Sequence, residues 1–121
     1  MKFKYTNLMF VVAYLAIVLL SARALRAQDS TQHIEIAAKR FSFTPNDITI
    51  KKGIPATFSL TSGDADHSLK IKELNVNIAA KKGSTKEVTF TPTQVGTFEG
   101  RCGTFCGSGH GSMKLTVHVT E

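Results

Sequence analysis

Both cysteines of the chain lie in one short stretch, Cys102-Gly-Thr-Phe-Cys106-Gly-Ser-Gly-His110-Gly-Ser-Met113. The same stretch holds one of the four histidines and the only methionine beyond residue 27. Two thiols, an imidazole and a thioether form a soft donor set, which selects copper, zinc or iron–sulfur over magnesium or calcium. The thioether tilts the choice to copper, because structural zinc sites take Cys and His. Glycines at 103, 107, 109 and 111 argue against a helix and let the backbone turn tightly around something small. The stretch reads as a metal-binding loop between two strands.

Other readings explain parts of this pattern. A Cys102–Cys106 disulfide would close a loop of about five residues and contribute about 2 kcal/mol by chain entropy. It leaves His110 and Met113 without a role. Met113 could be core filler, a common use of methionine. Zinc held by two Cys and two His would leave Met113 unused. A mononuclear blue copper centre takes two His, one Cys and an axial Met, which leaves one cysteine over. Two coppers bridged by both sulfurs would use every donor, with the metal holding the thiols deprotonated.

The elements that must position these donors are strands. From residue 31 onward apolar side chains alternate with polar ones: Ile34 and Ile36, Phe41 and Phe43, Ile48 and Ile50, Ala56 to Leu60, Leu69 and Ile71, Val76 and Ile78, Val88 and Phe90, then Leu115, Val117 and Val119. Turn residues interrupt the runs, and no sustained helical period follows residue 28. Seven or eight short strands point to an all-β, antiparallel Greek-key β-sandwich. Strand parity places His67 inward with Leu69 and Ile71. It places Cys102 inward with Phe98, and Met113 inward at the start of the last strand. His33 and His118 have the opposite parity and face solvent, so the second imidazole donor falls to His110.

The first 27 residues stand apart. A basic start, Met1-Lys-Phe-Lys4, precedes an uncharged apolar run from Leu8 to Leu20. That run is shorter than the roughly 20 apolar residues of a membrane span and matches a secretory signal peptide, with Ala27–Gln28 as the expected junction. The alternative is a short retained anchor. Residues 28–121 then form one domain. Four of the fifteen basic residues lie in the leader and none of the nine acidic ones does, so the remainder carries eleven against nine, a net charge of +2. Its basic residues are scattered and lack a stacking aromatic platform, which argues against nucleic acid. Export would place two cysteines in an oxidising compartment.

Cys-x3-Cys-x3-His-x2-Met, preceded 35 residues before Cys102 by an inward His67-Ser68, resembles the binuclear copper A (CuA) site of the cupredoxin domain of cytochrome c oxidase subunit II. Asp66-His-Ser68 and Gly96-Thr-Phe-Glu-Gly-Arg-Cys102 also resemble the family's strand contexts. The resemblance covers roughly residues 32–120 and implies a cupredoxin-like fold. It implies that Cys102 and Cys106 bridge two coppers, that His67 and His110 each bind one, that Met113 is a weak ligand to one copper and that the Thr104 main-chain carbonyl is a weak ligand to the other. The family usually has Glu at position 104. It also carries a Trp or Tyr cluster near the site and a two-helix membrane hairpin, whereas beyond residue 27 this sequence has neither Trp nor Tyr.

The expected function is an exported, periplasmic or extracytoplasmic, one-electron carrier with no small-molecule substrate and no catalytic activity of its own. Its redox partner would be a c-type cytochrome or an oxidase core subunit. Two alternatives are a subunit of a haem–copper oxidase, with the leader kept as a membrane anchor, and a periplasmic Cu(I) carrier. Asp66, Ser68 and Ser112 are expected to orient the two histidines.

Overall fold

The computed structural model describes residues 3–24 and 30–121. The chain divides into two compact units, Met1–Ser30 and Thr31–Glu121. The first holds a helix, α1 (Phe3–Ala24), whose side chains from Tyr5 to Leu19 are exposed. Among the described residues no helix is long and apolar enough to cross a membrane. The expected Ala27–Gln28 junction lies outside the described residues.

The second unit contains nine strands, one or two more than the alternation suggested: β1 (Gln32–Lys39), β2 (Ser42–Thr44), β3 (Asp47–Lys51), β4 (Ala56–Ser62), β5 (His67–Ile71), β6 (Val76–Ala80), β7 (Thr85–Phe90), β8 (Gly96–Arg101) and β9 (Lys114–Thr120). They form a four-stranded sheet in the order β2-β1-β4-β7 and a five-stranded sheet in the order β3-β9-β8-β5-β6. The expectation of an antiparallel sandwich needs correction, because β1 pairs parallel with β4 and β3 pairs parallel with β9. The chain passes from β2 in one sheet to β3 in the other across Pro45-Asn46, so β3 meets β9 along its length rather than folding back on β2. Alternation reports which face of a strand is buried, not which strand lies beside it.

The inner faces carry the alternating apolar residues. Ile36, Ala38, Phe43, Phe58 and Leu60 from one sheet meet Ile48, Ile50, Leu69, Ile71, Ile78, Leu115 and Val117 from the other. Each of the Ile, Leu, Val and Phe side chains among them contributes about 1.5–3 kcal/mol by leaving water. The Phe58 and Phe90 rings pack edge to face with centroids 5.0 Å apart, an arrangement worth about 0.5–1.5 kcal/mol beyond area burial.

This register delivers the chemistry-bearing residues to one end of the sandwich. β8 and β9 are antiparallel up to the pair Arg101↔Lys114. One step further, Cys102 N–H donates to the Met113 carbonyl at 3.4 Å, so the loop leaves and returns with these two residues side by side. On the other flank of β8, Lys70 pairs with Arg101. Extending that pairing brings Ser68 to Gly103, whose N–H donates to Ser68 Oγ at 2.9 Å, and puts His67 beside the loop.

Candidate metal centre

All six residues singled out in the sequence meet at this end. A ring nitrogen of His67 and the Sγ atoms of Cys102 and Cys106 lie within 4.8 Å of one another. Cys106 Sγ is 3.5 Å from Met113 Sδ and 3.8 Å from His110 Nδ1. Cys102 Sγ lies 3.1 Å from the Thr104 carbonyl oxygen. His67, Cys102, Cys106 and Met113 are buried, and both cysteines are free thiols. His110 and Thr104 are half-buried, so one imidazole is sealed in the interior and the other reaches toward solvent. His110 opens a short 3₁₀ turn, His110–Ser112, and its ring lies 5.8 Å from that of Phe105, which is 78% exposed.

The two nitrogens of His67 have different fates. Nε2 donates to Asp64 Oδ1 at 2.8 Å. Nδ1 is buried and has no hydrogen-bond partner among the described residues. Leaving such an atom unpaired costs about 1–3 kcal/mol. The fixed Nε2 contact makes Nδ1 the donor available to a metal, and carboxylate–histidine pairs of this kind set the tautomer of metal-binding imidazoles. Sulfurs, an orphaned imidazole nitrogen and a carbonyl oxygen in one dry corner fit a soft, thiophilic cation.

The electrostatics oppose an uncompensated thiolate at Cys106. Burial pushes the Cys106 thiol up, and the neighbouring Cys102 adds to the effect. A bound cation would offset both effects, so loading it would release protons. Asp64 is held at about 2, below the ordinary carboxylate range, first by the hydrogen bond from His67 and then by the backbone N–H of Arg40.

The residues that orient the site differ from those expected. Asp66 turns away, accepting from Lys82 N–H at 2.9 Å and from Lys81 Nζ at 3.0 Å. Ser112 donates within its own turn to the Gly109 carbonyl. Ser68 Oγ accepts from Gly103 N–H and from Thr104 Oγ1 and so shapes the loop rather than a histidine. Asp64 takes the role expected of Asp66, and its place three residues before His67 is the signal that could have found it. Arg40 and Phe41 also reach the site from the β1–β2 turn, with Arg40 Nε donating to the Cys106 carbonyl at 2.8 Å. No local sequence pattern announces a contact across 66 positions. His33 is exposed. His118 is half-buried on the outer face, between Asp47 and Thr97. Neither is near the centre.

The family model described as cupredoxin-like domain matches residues 9–117. The chain belongs to the cupredoxin-like family. Cytochrome c oxidase subunit 2 of Thermus thermophilus is 30% identical over 88 residues, covering 73% of this chain and 65% of that protein. A second Thermus thermophilus protein of the same name matches at the same identity over 52% of its length. The cupredoxin-like chain thus spans less than two thirds of these relatives. Among solved structures, the periplasmic domain of subunit II of cytochrome oxidase from Bradyrhizobium japonicum superimposes with a TM-score of 0.68 at 20% identity, over 74% of this chain and 84% of that one. The metal-binding domain of the Streptococcus pneumoniae Cu(I)-exporting P-type ATPase gives 0.66 at 24% identity, over 78% and 90%. At these identities the two structures establish the shared fold, and the mostly β sandwich expected from the sequence is a cupredoxin-like one.

Proposed function

We propose that this cupredoxin-like domain is an exported one-electron carrier built around a CuA-type centre of two coppers. The observation that carries the reading is the meeting of His67, Cys102 and Cys106 within 4.8 Å, with Met113, His110 and Thr104 against the two sulfurs. Cys102 and Cys106 would bridge the pair. His67 through Nδ1 and His110 would hold one copper each. Met113 Sδ and the Thr104 carbonyl would be the weak outer donors. The relatives named cytochrome c oxidase subunit 2 support this assignment.

Bound copper supplies reversible one-electron chemistry. The chain's own residues supply the rest. The buried Cys102, Cys106, His67 and Met113 keep water away from the sulfurs. Asp64 fixes the His67 ring, so its nitrogen does not swing between redox states. The half-buried His110 edge, beside exposed Phe105, is the path by which an electron enters or leaves. The partner is a redox protein, either an oxidase core subunit or a c-type cytochrome. Residues 1–27 act as the export signal or a short anchor, and residues 28–121 work on the periplasmic side.

A second reading, a Cu(I) carrier, is favoured by the Cys106–Met113 sulfur pair at 3.5 Å, since thiolate and thioether together suit Cu(I). Titrating the reduced protein with copper while counting free thiols separates the two. The electron-carrier reading requires both thiols to be consumed as two coppers bind per chain. Saturation at one readily exchanged copper would replace it with the carrier reading.

A further inference from the structure

We infer that the Arg40–Phe41 turn between β1 and β2 is a clasp that holds the Cys106–His110 loop in its ligating shape before any metal arrives. The inference concerns how the proposed centre is kept in place, and so rests on that reading. Three contacts define the clasp. Arg40 Nε donates to the Cys106 carbonyl at 2.8 Å. Arg40 N–H donates to Asp64 Oδ2 at 2.9 Å, while the other oxygen of the same carboxylate holds His67. The Phe41 ring lies flush on the loop. A Cβ added at Gly109 would collide with Phe41 Cδ2, and one added at Gly107 would stand 2.9 Å from Cε1. Gly107 also has φ of +139°, which L side chains rarely adopt.

One turn therefore ties residues 64–67, which carry His67, to residues 106–109 of the loop. The need for it is physical. The loop is rich in glycine, and glycine loses more conformational freedom on ordering than any other residue. His110 and Phe105 gain little support from the core, since one is half-buried and the other exposed. Without an outside brace the Cys106 sulfur and the His110 ring would sample many positions, and each copper bound would have to order them. Phe41 and Arg40 do that ordering in advance, which is how precise sites are kept on loops. The close fit also gives Gly107 and Gly109 a specific task, to leave room for the Phe41 ring. Arg40 and Phe41 are positioning residues, since neither is a donor to the centre.

The test uses the full chain, reduced and metal-free, and then loaded with copper. The thiols of Cys102 and Cys106 are titrated in the folded protein with a chromogenic disulfide reagent. For Arg40→Ala and Phe41→Ala we expect thiol reaction about fivefold to tenfold faster, as the loop opens more often. Release of bound copper to a chelator should accelerate similarly. Arg40→Lys should not restore the slow rate, because an ammonium does not reproduce the planar guanidinium contact. Gly109→Ala should open the loop when Phe41 is present, and adding Phe41→Ala should relieve part of that effect, a coupling that general destabilisation would not produce. Unchanged thiol rates in folded Arg40→Ala and Phe41→Ala proteins would overturn the clasp. So would strict additivity of Gly109→Ala with Phe41→Ala. The thiol measurement needs no metal, so a protein that fails to bind two coppers but keeps slow, clasp-dependent thiols would refute the proposed function and leave the clasp standing.

Discussion

His67 Nε2 donates to Asp64 Oδ1 at 2.8 Å, and this one bond decides which nitrogen of the buried ring is left for a metal. Asp64→Ala should therefore lower copper affinity by about tenfold to a hundredfold, the usual cost of removing a carboxylate that orients a metal-binding histidine. Competition with a chelator of known affinity measures it. The metal-free variant should also unfold at a lower urea concentration, because the His67 ring keeps its burial and loses its partner.

The two inner-face and outer-face histidines should behave differently. His67→Ala removes a donor from the interior, and the loaded protein should lose the optical bands of the paired sulfurs. His118 bonds Asp47 and Thr97 on the outer face, away from the loop. His118→Ala should keep the full copper content and stay within about 0.5 kcal/mol of the parent in stability. Metal analysis and thermal melting distinguish the two.

Met113 is fully buried and touches Cys106 Sγ through its thioether. Leucine has nearly the same volume, so Met113→Leu should cost less than about 1.5 kcal/mol. Copper content should stay at the parent value while the reduction potential moves, because in the proposed centre Met113 would be a weak donor that tunes the copper without holding it. Voltammetry of the loaded variant, read with its metal content, tests this.

Gly100 sits in β8 two residues before Cys102. A Cβ there would stand 2.8 Å from Leu69 Cδ1 and 2.9 Å from Ile71 Cγ1. Gly100→Ala should cost about 1–3 kcal/mol through overpacking. The displacement of β8 against β5 should also weaken copper retention, since those strands present Cys102 and His67. Urea unfolding and chelator-driven release measure the two effects separately.

The parity of residues 67–71 and 113–119 was enough to put His67 and Met113 inside, because a one-residue slip would have sent Leu69 and Val117 to solvent as well. The loop's candidate donors were legible because residue type and spacing are local properties. Parallel pairing of β1 with β4 and of β3 with β9 was not legible, since alternation fixes the buried face but not the neighbour. Asp66, adjacent to His67 in sequence, was the expected partner, but Lys81 and Lys82 hold it and Asp64 takes its place. Arg40 and Phe41 gave no local signal, because their role depends on how two sheets bring residue 40 to residue 106.

The central claim is that both sulfurs serve one pair of coppers. Electron paramagnetic resonance of the reduced and copper-loaded chain, recorded with its copper-to-protein ratio, tests it most directly. The account predicts two coppers per chain and a hyperfine pattern from one unpaired electron shared over two copper nuclei. One copper per chain with the pattern of a single nucleus would contradict it.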